Sequence, residues 1–125
     1  MSLTLLVLAL GVLEPQASPA RPAVTIERPS WSEAVRCAGL TQAASELDGD
    51  TDGARDAGDA KRLYDAGLYW SLTAMQASQA GGRTAEAAEA AQTRSRLEAL
   101  DQLRDESSEA RRELSRCLTR TPALG

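Results

Sequence analysis

The residues of this chain that are best suited to chemistry are aspartates, concentrated in the segment DGDTDGARDAGD at residues 48–59. Carboxylate and backbone carbonyl oxygens are hard ligands, and they suit a hard cation such as Ca²⁺. We therefore predict a candidate calcium site here. Its predicted ligands are Asp48, Asp50, Asp52, Ala54, Asp56 and Asp59, with Ala54 offering its carbonyl oxygen.

The start of this segment resembles the calcium loop of EF-hand proteins, which begins D-x-D-x-D-G. The resemblance covers twelve residues, 48–59, and implies a cation site but no wider family. Asp59 stands where the EF-hand loop has a glutamate that binds through both oxygens. Arg55 stands at the eighth position, which is usually apolar, and the chain has no second such loop. A solvent-exposed turn before a helix is the alternative interpretation, because Asp and Gly favour turns.

The only two cysteines, Cys37 and Cys117, provide a second kind of chemistry. Each falls on the apolar face of a predicted helix, one near each end of the domain. An even number of cysteines in an exported chain predicts a disulfide, here between the first and last helices. A catalytic or metal-binding thiol is the alternative, but the chain has neither a C-x-x-C motif nor a histidine.

The composition excludes several classes of function. Without histidine, no Ser-His-Asp or Cys-His catalytic site can form. The net charge of -4 argues against binding to nucleic acid or to anionic membranes, which needs a basic surface. Catalysis by carboxylates alone, as in glycosidases, would have to use residues such as Glu33, Glu46 and Asp65, but nothing in the sequence pairs them. We therefore predict no enzyme activity, no catalytic residues and no cofactor other than possible calcium.

The N-terminal twenty residues have the pattern of a secretory signal peptide. An apolar run from Leu3 to Leu13 is followed by small residues before Arg21, the predicted first residue of the mature chain. Ala17 is an alternative cleavage point. A buried or membrane-anchoring first helix is the alternative interpretation, although the run is short for a bilayer span. The pattern predicts export to the periplasm or the extracellular space.

The rest of the chain predicts an all-α fold, a small bundle of three to four helices. Its predicted divisions are a signal peptide at 1–20, an extended lead-in at 21–29, the bundle at 30–121 and a tail at 122–125. A capping box at Ser30 starts the first helix, and Gly81-Gly82 ends the second. The predicted helices are 30–47, from 56–60 to 80, 85–103, and from 107 or 108 to 118, with one long bent helix as the alternative for the last two.

Periodicity predicts which helix faces form the core. The stretch Ala66–Ala80 contains no charged residue, so we predict that it forms the central, buried helix. The predicted core face of the first helix is Cys37, Leu40, Ala44 and Leu47; of the third, Ala90, Thr93, Leu97 and Leu100; and of the fourth, Ala110, Leu114, Cys117 and Leu118.

These features predict a structural or protein-interaction module, with a low-affinity calcium-binding module as the alternative. The expected partner is an unidentified protein. We expect no nucleic acid, no membrane contact after signal cleavage, and a monomer. The basic strip Arg112, Arg116 and Arg120 suits an acidic partner, or is a solvated face near the C-terminal end of a helix.

Overall fold

The chain folds into four α-helices in a computed structural model that describes residues 28–50 and 57–123. The predicted signal peptide, most of the lead-in and the segment 51–56 lie outside these residues. The helices are α1 (Trp31–Asp50), α2 (Ala57–Ala80), α3 (Ala85–Arg104) and α4 (Ser108–Thr119). The described part contains no strand, so the all-α prediction is confirmed. None of its helices has the length and apolar character that a membrane span requires.

Local capping fixes most of the helix boundaries. The Thr84 hydroxyl accepts a hydrogen bond from the Ala87 amide at the start of α3, at 3.1 Å. The Ser107 hydroxyl accepts one from the Ala110 amide at the start of α4, at 3.2 Å. Each bond satisfies an amide that has no partner within its helix.

The structure separates α3 from α4, so the alternative of one long bent helix is wrong. The first helix continues to Asp50 rather than ending at Leu47.

The central helix of the bundle is α1, because its contacts with the other three helices are the most extensive. The prediction that Ala66–Ala80 forms the buried centre is wrong, because α2 buries only one of its faces. Small residues explain why α1, rather than α2, is the central helix. Ala34 and Ala38 lie one turn apart on one side of α1, Ala43 lies on the other side, and all three are fully buried, so neighbouring helices can approach α1 from more than one direction.

The predicted core faces are confirmed for α1 and α4 and wrong for α3. Cys37, Leu40 and Ala44 of α1 are buried, as are Ala110 and Cys117 of α4, while Leu47, Leu114 and Leu118 are partly buried against the core. On α3, Ala90, Thr93 and Leu97 are exposed, and of the predicted face only Leu100 is buried. The buried residues of α3 are Ala88, Ser95, Ala99 and Leu100.

The closest approach of α1 and α3 explains why α3 turns a small residue inward. A Cβ atom added to Gly39 would lie 2.2 Å from the Ser95 hydroxyl and 2.6 Å from its backbone carbonyl carbon. The Ser95 hydroxyl donates a hydrogen bond to the Val35 carbonyl at 2.8 Å. A leucine such as Leu97 does not fit at such a crossing, so it faces solvent.

We expect Gly39→Ala to lower the free energy of unfolding by about 1–3 kcal/mol, because the added methyl group collides with the backbone of Ser95. The matched control is Gly49→Ala in the same helix, where an added Cβ has no atom within 4 Å. There alanine should leave stability unchanged or raise it by up to about 1 kcal/mol. Urea denaturation measures both. A Gly39→Ala protein as stable as the Gly49→Ala protein would contradict the close crossing.

Candidate functional site

The predicted calcium ligands fall at the ends of two helices. Asp48 and Asp50 belong to the last turn of α1, and Asp59 is exposed in the first turn of α2. Asp52, Ala54 and Asp56 lie outside the described residues. Among the residues that are described, no group of three or more acidic, Cys or His side chains is placed to hold a metal ion. The calcium site therefore stays a prediction. The segment joins two helices, as in an EF-hand, but α1 extends over its first three residues, so Asp48 and Asp50 lie in a helix rather than in a loop.

Calorimetry tests this site. We expect one Ca²⁺ site with a dissociation constant of about 10⁻⁴ to 10⁻³ M, as in extracellular calcium modules. Asp50→Ala should abolish the binding, whereas Asp101→Ala, an exposed aspartate on α3, should leave it unchanged. The absence of heat at millimolar Ca²⁺, or unchanged binding in Asp50→Ala, would reduce the segment to a turn.

The cysteines form the predicted disulfide between α1 and α4. The Cα atoms of Cys37 and Cys117 are 5.5 Å apart, which lies in the usual range for a disulfide. Each residue is only 4% exposed. Because both thiols are joined and buried, neither is available as a nucleophile or a metal ligand, and the role of the pair is structural.

A hydrogen-bonded ion pair beside the disulfide strengthens the same contact. The Arg36 guanidinium donates to the Glu113 carboxylate at 2.8 Å and to the Gln102 side-chain oxygen at 2.7 Å, which joins α1 to α4 and α3. The hydrogen bond from Arg36 lowers the pKa of Glu113 below its ordinary value of 4.5, and the positive charges of Arg36 and Arg116 act in the same direction, while partial burial opposes them. A lowered carboxyl pKa means that this contribution to stability is present above the ordinary pKa and is lost as the pH falls through the lowered one.

The carboxylates considered for catalysis each have a basic neighbour. Glu33 pairs with Arg120, and Asp65 pairs with Lys61 one helical turn away. Glu46 accepts hydrogen bonds from Arg96 at 2.9 and 3.1 Å. Arg120 of the predicted basic strip is therefore engaged with α1, while Arg112 and Arg116 are exposed.

The most unusual surface of the bundle is a row of apolar side chains on α2, which we call the α2 seam. It consists of Tyr64, Leu68, Leu72 and Met75, which are 61%, 46%, 58% and 47% exposed. Their spacing places them on one side of the helix, opposite the buried residues Leu63, Ala66, Trp70 and Ala74. Within the uncharged stretch 66–80, three of these apolar side chains are exposed together with Gln76 and Gln79. Nearer the start of α2, Lys61 and Arg62 are exposed.

The sequence did not predict this seam, because an uncharged stretch is compatible with two arrangements of a helix. It fits a helix buried on all sides, and it fits a helix with one face packed and the other exposed for contact. Side-chain size does not separate the two faces. The buried face combines the small Ala66 and Ala74 with the large Trp70, while the seam carries large side chains.

A groove of about 550 Å³ lies beside the seam and shares Met75 with it. Residues of α1, α2 and α3 line this groove, and Gln42 contributes from α1. A hydrogen bond joins α2 to α3 across it, in which the Ser71 hydroxyl donates to the Gln92 side-chain oxygen at 2.8 Å. Its lining combines amides, hydroxyls and the charged groups of Glu89 and Arg96. This arrangement can bind a ligand by shape and hydrogen bonding.

Comparison of the chain with protein-family models, with curated proteins and with solved structures gave no match in any of the three cases. The arrangement of the described residues is therefore the basis on which a function can be proposed.

Proposed function

We propose that this protein is a small exported helical module that acts through contact with protein, and that the α2 seam is its contact surface. The observation that carries the proposal is the row of four half-exposed apolar side chains on α2, three of which lie in the uncharged stretch 66–80. Contiguous exposed apolar surface on a soluble protein marks a site of interaction. Aromatic residues and methionine are enriched in protein interfaces, and charged residues are depleted at their centres.

The packing of the bundle supports this assignment. The core is formed by other residues, with Trp70, Leu40 and Thr41 as its largest fully buried side chains. The seam side chains lie on the opposite side of α2, so they contribute little to the core. Exposed apolar side chains also lower solubility. Contact with another protein is the use that best suits their chemistry.

Export is part of the proposal, and it is supported by the signal pattern at 1–20 and by the buried disulfide. Disulfides persist in oxidising compartments such as the periplasm and the extracellular space. A disulfide is compatible with export without establishing it. N-terminal sequencing of the protein from the producing cell should begin near Arg21, and recovery of an intact Met1 form in the cytoplasm would contradict export.

The contact surface can be tested by thiol labelling. Leu68→Cys and Leu72→Cys place a reactive thiol on the seam, and Leu97→Cys places one on α3 at a leucine of similar exposure. The rate of maleimide alkylation is measured for each variant in producing cells and in dilute purified protein. We expect slower labelling in cells at positions 68 and 72 and no change at 97. Equal rates in both settings at all three positions would refute the proposed surface.

A further inference from the structure

The exposed side of α2 is symmetric about its middle. Leu68 and Leu72 lie at the centre, Tyr64 and Met75 lie outside them, and Lys61 and Gln79 lie at the two ends. The midpoint of each pair falls at position 70 or half a residue before it. The pattern of side-chain positions is therefore nearly the same when α2 is followed in either direction.

We propose that the partner of the α2 seam is a second copy of this chain, with the two α2 helices packed antiparallel about a two-fold axis that crosses the seam between Leu68 and Leu72. This inference rests on the proposed function and names its partner. A two-fold interface uses the same surface on both copies, so every contact between two positions must occur twice. A helix face that is symmetric about its middle meets this requirement. Leu68 then faces Leu72 of the second copy, and Tyr64 faces Met75, a favourable contact between a thioether and an aromatic ring.

The charges on α2 favour the antiparallel arrangement. The stretch 66–80 contributes no charge to the contact. Lys61, which pairs with Asp65 on its own helix, lies opposite Gln79 of the second copy. A parallel arrangement would instead place Lys61 against Lys61, and like charges across an interface oppose association.

The seam is small for a protein interface. Four half-exposed side chains offer on the order of 400 Å² per copy, whereas a typical stable interface buries about 800 Å² on each partner. The dimer is therefore weak and depends on concentration. The sequence-based expectation was a monomer, and the proposed dimer departs from it.

Sedimentation velocity over about 1 µM to about 1 mM protein tests the dimer. The sample is the full chain as the producing cell leaves it, with its N-terminus defined by mass spectrometry. We expect a reversible monomer–dimer equilibrium. Leu68→Glu should weaken it about a hundredfold, because each substitution enters the symmetric interface twice. Leu97→Glu on α3 is the matched control and should leave the dissociation constant unchanged. A monomer at every concentration, or equal weakening by both variants, would overturn the dimer.

Cross-linking tests the antiparallel arrangement. Mild oxidation of a mixture of Tyr64→Cys and Met75→Cys proteins should give a covalent dimer, whereas each variant alone should give little. Efficient cross-linking of Tyr64→Cys to itself would overturn the antiparallel arrangement.

Failure of this inference can be separated from failure of the proposed function. A monomeric protein whose seam is protected from labelling in cells refutes the second copy as partner but leaves the contact surface in place.

Discussion

Replacing Cys37 with alanine should lower the free energy of unfolding by about 2–5 kcal/mol, the usual cost of losing a native disulfide. The bond between Cys37 and Cys117 spans 80 residues of sequence. Closing a loop of about this length is worth about 4.5 kcal/mol when the gain is assigned to lost entropy of the unfolded chain. Domains of this size are stable by about 5–15 kcal/mol in total, so the loss is a large share. Urea denaturation of the variant and the unreduced parent protein measures it.

The double variant Cys37→Ala/Cys117→Ala is the control for this effect. It should be about as unstable as the single variant, because either change removes the same link and the two effects do not add. The unreduced parent protein should have no free thiol and should run as a monomer on a denaturing gel. Two titratable thiols in protein taken from producing cells, or a cysteine-linked dimer as the main form, would refute the intramolecular bond.

Trp70→Ala should lower the free energy of unfolding by about 3–5 kcal/mol, the range for removing a large aromatic side chain from a core. Trp70 is fully buried and joins α2 to the end of α4. Its indole N–H lies 3.2 Å from the Cys117 carbonyl and 2.9 Å from the Thr121 hydroxyl, and it can donate to both. Its ring packs edge to face with Tyr69, with 5.1 Å between ring centroids. Urea denaturation again provides the measurement.

Two further variants separate the causes of this loss. Trp70→Phe keeps most of the ring but removes the indole donor, and it should cost less than Trp70→Ala. The Cys117 carbonyl would still accept the hydrogen bond from the Thr121 hydroxyl at 2.7 Å. Trp31→Ala is the matched control, because Trp31 is only partly buried against the core. A loss at Trp31 as large as that at Trp70 would contradict the central position of Trp70.

Most helix ends, apart from the end of α1, could be predicted from the sequence because the interactions that set them are local. Thr84 and Ser107 each bond an amide three residues further along the chain. Gly82, with φ of 72°, adopts the left-handed conformation that glycine accepts readily and that ends a helix. The disulfide could also be predicted, because two cysteines on apolar faces allow only one intramolecular pairing.

The packed face of α3 and the central helix could not be predicted, because both depend on contacts between distant parts of the chain. Leu97 is the larger and more apolar residue, yet Ser95 lies at the crossing because Gly39 of α1 leaves room only for a small side chain. Alanines are spread around these helices, so periodicity gives little contrast between faces. The seam on α2 remained hidden for a related reason, since only the packing of α1 shows which side of α2 is left exposed.

Photo-cross-linking in the producing cell is the most direct test of the seam as a contact surface. A benzophenone amino acid replaces Leu68 or Leu72 in turn, and Leu97 in the control. We predict adducts from positions 68 and 72, with the mass of two chains where the partner is a second copy, and none from position 97. The absence of adducts at 68 and 72, or adducts of equal yield at 97, would contradict the assignment of the seam as the contact surface of this protein.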